Sequence, residues 1–452
     1  MGRITLKQAA DFCGGKVEPR FEEISFSGAN FDTRRLQKGE LFVALVGARD
    51  GHDFAASAME KGAAAVLASR PLGKNIPAIY VRDTTAALQM IAKKWRENLS
   101  LISVGITGSV GKTTTKEMIA AVLETTFVTK KTAENFNNGI GLPVTVLEID
   151  CDCEAAVLEM GMNHFGEISL LTSIAQPDIA VITNIGTMHM ENLGSREGIL
   201  LAKLEILEGL EPNGTPIFWG DDELLSTVAA KYGAVTFGLG ESNDVQGVNL
   251  EETGEMTSFT VLAREEKFPV TLPVQGKHNV LNALAAVTVG LRCGVSVSNI
   301  QTALAGFHNT GMRQKIYIKN GIRVIEDCYN AGPESMEAAL GILGGVPGRK
   351  IAALGGMLEL GDFAPEAHYA VGQKAGKICD LLFAYGASSE EYLNGAKNAG
   401  LDQARKFPSH EALAKALKKE LRTGDTLLVK GSRGMKMERV LQLLFDEGGT
   451  TI

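Results

Sequence analysis

Ile102-Ser103-Val104-Gly105-Ile106-Thr107, continued by Gly108-Ser109-Val110-Gly111-Lys112-Thr113-Thr114, decides the reading of this chain. The first six residues are the short β-rich run of a core strand, and a helical stretch follows Thr114. Between them the glycines allow backbone amides to turn inward around phosphate oxygens, and the start of the helix adds positive potential. Gly108, Ser109, Val110, Gly111, Lys112, Thr113 and Thr114 therefore read as a nucleotide-phosphate loop. Lys112 is expected to reach the β- and γ-phosphates, and the Thr113 hydroxyl to ligate Mg²⁺. A solvated Gly-Lys turn is the alternative, and the strand–loop–helix setting argues against it. The loop departs from the general pattern in one respect: Ile106 stands five residues before Gly111, where glycine is expected.

Working outward, short β-rich runs alternate with helical ones, which reads as α/β. A chain of 452 residues, 45% hydrophobic and 22% charged, can bury about three ordinary domains. Residues 1–83 form a first unit, with a strand over Leu41–Leu45 and a small-residue helix from Phe54 to Gly62. Residues 84–312 form a second, opening on a helix from Thr84 to Glu97. It adds strands at Ala155–Met160 and Ile179–Thr183 and a helix over 197–210. Residues 313–452 form a third, with strands at Ile322–Glu326, Ile351–Leu354, Leu381–Tyr385 and Thr426–Lys430 separated by helices, a doubly wound pattern.

The net charge of −8 excludes a general nucleic-acid binder, which needs a basic face. The cysteines at 13, 151, 153, 293, 328 and 379 form no Cys-x-x-Cys pair, so neither a disulfide framework nor a zinc knuckle is indicated. No apolar run is long enough to span a membrane, and Met1–Leu6 has no apolar signal core, so a cytoplasmic chain is expected.

Several other residues stand where α/β sheets bind ligands. Glu159 ends an apolar strand, placed to hold Mg²⁺ beside the loop. Asn279 and Asn282, three apart on one helix face, offer amides that suit an adenine edge, with helix capping as the plainer role for Asn279. Arg313 could bridge onto the γ-phosphate when domains close. Asp327, just past a strand, could accept hydrogen bonds from a ribose. His189 and Lys203 taken alone read as a structural histidine and a snorkelling lysine.

The Gly-Ser-x-Gly-Lys-Thr-Thr loop, the Ala202-Lys203-Leu204-Glu205 segment and the His278-Asn279-x-x-Asn282 helix together resemble the Mur ligase family, and the resemblance covers the whole chain. It implies an N-terminal α/β uridine-nucleotide domain, a central P-loop ATPase-like parallel-sheet domain and a C-terminal Rossmann-like domain. It implies that Lys203 is carbamylated and, with His189, holds a second Mg²⁺, while Thr113 and Glu159 hold the first. It further implies that Lys112, Lys203, His189 and Glu159 are catalytic, and that Asn279 and Asn282 contact adenine. The blocks around Thr33, Arg34, Arg35, Asp50, Gly51 and His52, and the run holding Asn137 and Asn138, are similar to those that bind the UDP substrate. His189-Met190-Glu191-Asn192-Leu193-Gly194-Ser195 and Asp327-x-Tyr329-Asn330-Ala331-x-Pro333-x-Ser335-Met336 resemble the D-alanyl-D-alanine-adding branch, and Tyr329, Asn330, Ser432 and Arg433 are assigned to that dipeptide. The diaminopimelate-reading Asp-Asn-Pro-Arg motif is absent.

The resemblance thus implies ATP-dependent amide formation on UDP-N-acetylmuramoyl-tripeptide by a monomer. Another Mur ligase or a folate polyglutamylating enzyme is the rival within the class, the latter opposed by the uridine-type N-terminal domain, and a non-catalytic P-loop regulator the rival outside it. Gly332 stands where the family usually has asparagine, and Gly356 where aspartate is common.

Overall fold

The computed structural model describes residues 4–73, 75–253, 256–264, 266–308 and 315–445. Arg313 lies outside them. Three mixed or parallel sheets organise the chain. The first has the order Lys16–Val17, Ala78–Tyr80, Ala65–Ala68, Leu41–Val43, Ala29–Asn30, parallel except for its first strand. The second has nine strands. From one edge they run Glu266–Leu272, Met256–Ala263, Val245–Thr253, Val235–Gly238, Thr215–Trp219, Ile179–Ile182, Ile102–Thr107, Ala155–Glu159 and Thr129–Lys131. The third has the order Lys315–Lys319, Ile322–Asp327, Thr426–Lys430, Lys350–Gly355, Leu381–Tyr385, Ala404–Phe407, with only the first pair antiparallel.

The position of Ile102–Thr107 places the functional cleft. It pairs in parallel with Ile179–Ile182 on one side and Ala155–Glu159 on the other. From it the chain runs to the edge strand Thr129–Lys131, returns through Ala155–Glu159 and crosses over to Ile179–Ile182, so a crevice opens at its carboxyl end, where open α/β sheets bind ligands. Gly108 begins at that point.

The N-terminal and central units share a core. Leu41, Val43 and Leu67 of the first sheet join Leu88, Ile91 and Trp95 of the helix Thr84–Arg96, which join Leu158, Ile182 and Phe218 of the second sheet. Asp83 caps that helix, its carboxylate accepting from the Thr85 and Ala86 amides. The C-terminal sheet carries separate apolar clusters on its two faces, as double winding requires.

The structure departs from the sequence reading in the central domain. The helix expected over 197–210 is α-helical only from Arg196 to Leu204 and tightens to a 3₁₀ turn over Glu205–Gly209. Glu205 is drawn aside, accepting from the Gly166 and Ser169 amides at the start of the neighbouring helix Glu167–Ala175, and Thr172 Oγ1 takes the Ile206 carbonyl. The antiparallel strands Val245–Thr253, Met256–Ala263 and Glu266–Leu272, which extend the central sheet, were not anticipated.

Candidate active site

The loop over 108–111 is shaped by what lies against it. Gly108 has φ +151°, and a Cβ there would fall 1.8 Å from Thr183 Oγ1; Gly111 has φ +83°, with Asn282 Oδ1 2.7 Å from its would-be Cβ. Side chains would be strained and obstructed at both positions. The residues after Ile179–Ile182 brace the loop. Thr183 Oγ1 and Asn184 Nδ2 donate to the Val110 carbonyl at 2.7 and 2.9 Å, and Asn184 Oδ1 accepts from the Ser109 and Val110 amides. Lys112 starts the helix Lys112–Leu123 and folds its Nζ onto the carbonyls of Gly108 at 2.6 Å and Ser109 at 3.3 Å. The first-turn amides at Thr113 and Thr114 have no partner within their own helix, which makes this end an anion seat.

Glu159 is 1% exposed. Its Oε2 accepts from Thr113 Oγ1 at 2.8 Å, and its Oε1 accepts from Asn137 Nδ2 at 2.8 Å. Lys116, buried on the same helix as Thr113, donates to the Thr132 carbonyl at 2.6 Å and lies 4.0 Å from Glu159 Oε2. Lys116 escaped the sequence reading; its only signal was a lysine on the inward face of the helix.

Lys203 is 1% exposed and has no hydrogen-bond or ion-pair partner among the described residues. Burial, and then the nearby Lys112 cation, hold its amine well below the usual lysine range. His189 adopts φ +65°, unusual for a residue with a Cβ. Burial first, then the charges of Lys112, Lys203 and His164, push its ring down to about 4. Its Nδ1 lies 2.8 Å from Glu359 Oε2 of the C-terminal domain, off the axis of a hydrogen bond. Among the described residues no three His, Cys, Asp or Glu side chains form a ready metal cage. A cation beside Thr113 and Glu159 would therefore draw further oxygens from a bound phosphate, which suits Mg²⁺.

A cleft of about 1020 Å³ joins these groups. Central-domain residues from Ser109 to Thr115, Glu159, His189, Asn279 and Asn282 form one wall, and Asp327, Tyr329, Asn330, Glu334 and Lys430 the other. Asn282 sits at the phosphate loop, its Oδ1 accepting from Thr115 Oγ1 at 3.1 Å. Asn279 Nδ2 donates back to the Gln275 carbonyl. Across the cleft, the buried Lys430 Nζ binds the buried Asp327 Oδ2 at 2.6 Å and the half-buried Asn330 carbonyl at 2.9 Å. Glu334 Oε1 accepts from the Thr187 amide and hydroxyl, tying the two domains. A side cavity of about 110 Å³ is lined by His189, Asn330, Glu359, Ser432 and Arg433. Ser432 Oγ accepts from the Leu358 amide and donates to the Ala331 carbonyl, while Arg433 pairs with Glu438. Gly332 has a reason in this wall: a Cβ would meet Met188 Cγ at 2.8 Å. Gly356 has open space, its would-be Cβ meeting nothing nearer than 3.7 Å.

The predicted UDP-binding residues divide. Asn137 and Asn138 line the cleft, whereas Thr33, Arg34, Arg35, Asp50, Gly51 and His52 do not. Asn138 Oδ1 caps the turn into helix Gly141–Leu147, accepting from the Ile140 and Gly141 amides. Thr33 gives its carbonyl to Lys61 Nζ. Arg34, 85% exposed in its side chain, is chelated to Asp32, and Arg35 reaches Glu134 at 3.1 Å. His52, also expected at the UDP substrate, lies inside the N-terminal domain. It is buried, its Nε2 accepts from the Ser69 amide, and its Nδ1 donates to Asp50. Both ring nitrogens are used inside the protein, and Asp50 also holds Arg70.

These features together define a phosphate-loop α/β cleft between the central and C-terminal domains, and the comparisons give its family. Residues 106–290 match the Mur ligase middle domain, and residues 312–433 match the Mur ligase, glutamate ligase domain. The chain belongs to the Mur ligase family. UDP-N-acetylmuramoyl-tripeptide–D-alanyl-D-alanine ligase of Bacillus subtilis is 42% identical over 99% of both chains. The crystal structure of MurF from Acinetobacter baumannii superposes with TM-score 0.90 at 32% identity, covering 98% of this chain and 99% of that one. MurF from Thermotoga maritima, solved in complex with ADP, gives TM-score 0.81 at 30% identity over 92% and 97% of the two chains.

Proposed function

We propose that this chain joins D-alanyl-D-alanine to UDP-N-acetylmuramoyl-tripeptide, using ATP and passing through an acyl phosphate. The observation that carries the reading is the single cleft in which the phosphate loop and Glu159 face the buried Asp327–Lys430 pair of the C-terminal domain.

ATP lies with its phosphates over the loop amides. Lys112 leaves the Gly108 and Ser109 carbonyls and turns to the γ-phosphate, and Asp327 takes a ribose hydroxyl. Asn279 and Asn282 border the nucleoside side. A carboxylate oxygen of the tripeptide attacks the γ-phosphorus, and ADP departs with the electrons of the broken P–O bond. The dipeptide amine, held near Tyr329, Asn330, Ser432 and Arg433, then attacks the acyl carbon. It loses a proton as phosphate is expelled. Carboxylate and triphosphate repel one another, so fixed cations must offset their charge.

Thr113 and Glu159 are the hard-oxygen pair for one Mg²⁺, which supplies charge neutralisation and polarises the phosphate when bound. Lys203 suits carbamylation because the reaction needs a neutral amine and its burial favours that form. Its nitrogen lone pair attacks carbon dioxide, an N–C bond forms, and a proton leaves to solvent. The anionic product, with neutral His189, offers ligands to a second Mg²⁺. Arg34 or Arg35 serves the UDP diphosphate by exchanging its exposed carboxylate partner for phosphate.

Phosphate release measured against a panel of UDP-muramoyl peptides and D-dipeptides tests the reading. Release is expected only with ATP, a UDP-linked tripeptide and D-alanyl-D-alanine together. ATP binding without release in every combination would favour a P-loop regulator.

A further inference from the structure

Outside the groups assigned a role above, one contact joins the C-terminal domain to the proposed metal ligand His189. Glu359 Oε2 lies 2.8 Å from His189 Nδ1. The two residues share an uncommon feature: each has a Cβ and each adopts φ +65°. Backbone held in this region is strained and persists where surrounding structure enforces it. Neighbouring contacts enforce it from both sides. A Cβ on Gly361 would meet Glu191 at 3.2 Å, Gly332 closes on Met188, and Glu334 holds Thr187. The segment 187–191 is thus gripped along its length by the C-terminal domain, with Glu359 on the ring itself.

An imidazole that ligates a metal through one nitrogen is usually oriented by an acceptor on the other. Nδ1 faces the Glu359 carboxylate, so a small ring rotation turns the contact into an Nδ1–H donation. Nε2 is then left with the lone pair. We infer that Glu359 is a positioning residue that fixes the tautomer and orientation of His189, so that the C-terminal domain completes a metal subsite on the central domain. This rests on the reading of His189 as a ligand.

The test uses the full chain with ADP and Mn²⁺ as a spin-active probe, with free Mn²⁺ followed by electron paramagnetic resonance. His189→Ala is expected to weaken the His189-dependent Mn²⁺ site. Glu359→Ala is expected to weaken the same site about tenfold, the lower end of what loss of such a partner costs. Glu359→Gln, whose amide oxygen can still accept from Nδ1–H, should weaken it less. The double variant His189→Ala/Glu359→Ala should bind no more weakly than His189→Ala. Wild-type Mn²⁺ affinity in Glu359→Ala, with a loss in His189→Ala, overturns the positioning role and leaves the ligand reading standing. Additive losses in the double variant also overturn it, because Glu359 would then act on the interface rather than through the ring. Unchanged affinity in His189→Ala removes the ligand reading and the positioning role with it. If Glu359→Ala does not fold, Glu359→Gln preserves side-chain volume, and a loss there that persists in the His189→Ala background is equally contradictory.

Discussion

Thr113 Oγ1 donates to Glu159 Oε2 across 2.8 Å, joining the first turn of the helix after the phosphate loop to the carboxyl end of the adjacent strand. The hydroxyl and the carboxylate converge although 46 residues separate them, because Ala155–Glu159 and Ile102–Thr107 are parallel neighbours. Glu159→Gln keeps the shape and one acceptor oxygen but removes the charge. Turnover is expected to fall by a factor of about 100 to 1000, as for loss of a preorganised electrostatic group. The thermal midpoint should move little. Steady-state kinetics and a melting curve on the same preparation check both halves.

Lys112→Ala should abolish turnover without unfolding the protein. A cation at a helix N-terminus is disfavoured by the helix dipole, so its removal should change stability by no more than about 1 kcal/mol. Urea unfolding and phosphate release separate the two effects. Near-normal turnover in the folded variant would remove the phosphate-loop assignment.

The Asp327–Lys430 pair is buried, at 7% and 2% exposure. Lys430→Met leaves the carboxylate without its cation and is expected to cost about 3–5 kcal/mol in urea unfolding. Asp327→Leu combined with Lys430→Met should recover most of that loss, since a well-packed apolar pair is often as stable as the ion pair it replaces. A double variant as unstable as the single one would show that Lys430 is needed for the Asn330 carbonyl instead.

His189 gives stability a defined acid limb. Its ring titrates at about 4 in the folded protein, pushed down by burial, against an ordinary value of about 6.5. Between those values the unfolded chain binds more protons, so stability rises with pH through the window and is lost as pH falls from about 6.5 toward 4. The shift corresponds to roughly 3 kcal/mol. Unfolding free energies of wild type and His189→Asn, compared from pH 6.5 down to 4, should diverge in that direction; parallel curves would place the ring in a wetter setting.

What the sequence made legible follows from the range of each signal. The loop from Gly108 to Thr114 is local, and so are the strands that end at Glu159 and Ile182; their residue types announce them. The strand Met256–Ala263 also carried a local signal, Thr257, Phe259, Val261 and Ala263 alternating inward, which was passed over. Lys315–Lys319 is largely exposed, and its Ile316 and Ile318 share a face that is not buried. Roles that depend on distant partners were hidden. His52 has both ring nitrogens engaged by Ser69 and Asp50, which its place in the sequence does not announce. Lys116, Glu334 and Glu359 gain meaning only from Thr132, Thr187 and His189, which the fold brings to them.

The central claim is that the tripeptide carboxylate is activated as an acyl phosphate before the dipeptide amine attacks. Tripeptide labelled with oxygen-18 in its reacting carboxylate tests it most directly, with released phosphate analysed by mass spectrometry. Each turnover should deliver one labelled oxygen to phosphate, because the bridging oxygen leaves with it. Amide product formed with unlabelled phosphate would contradict the account.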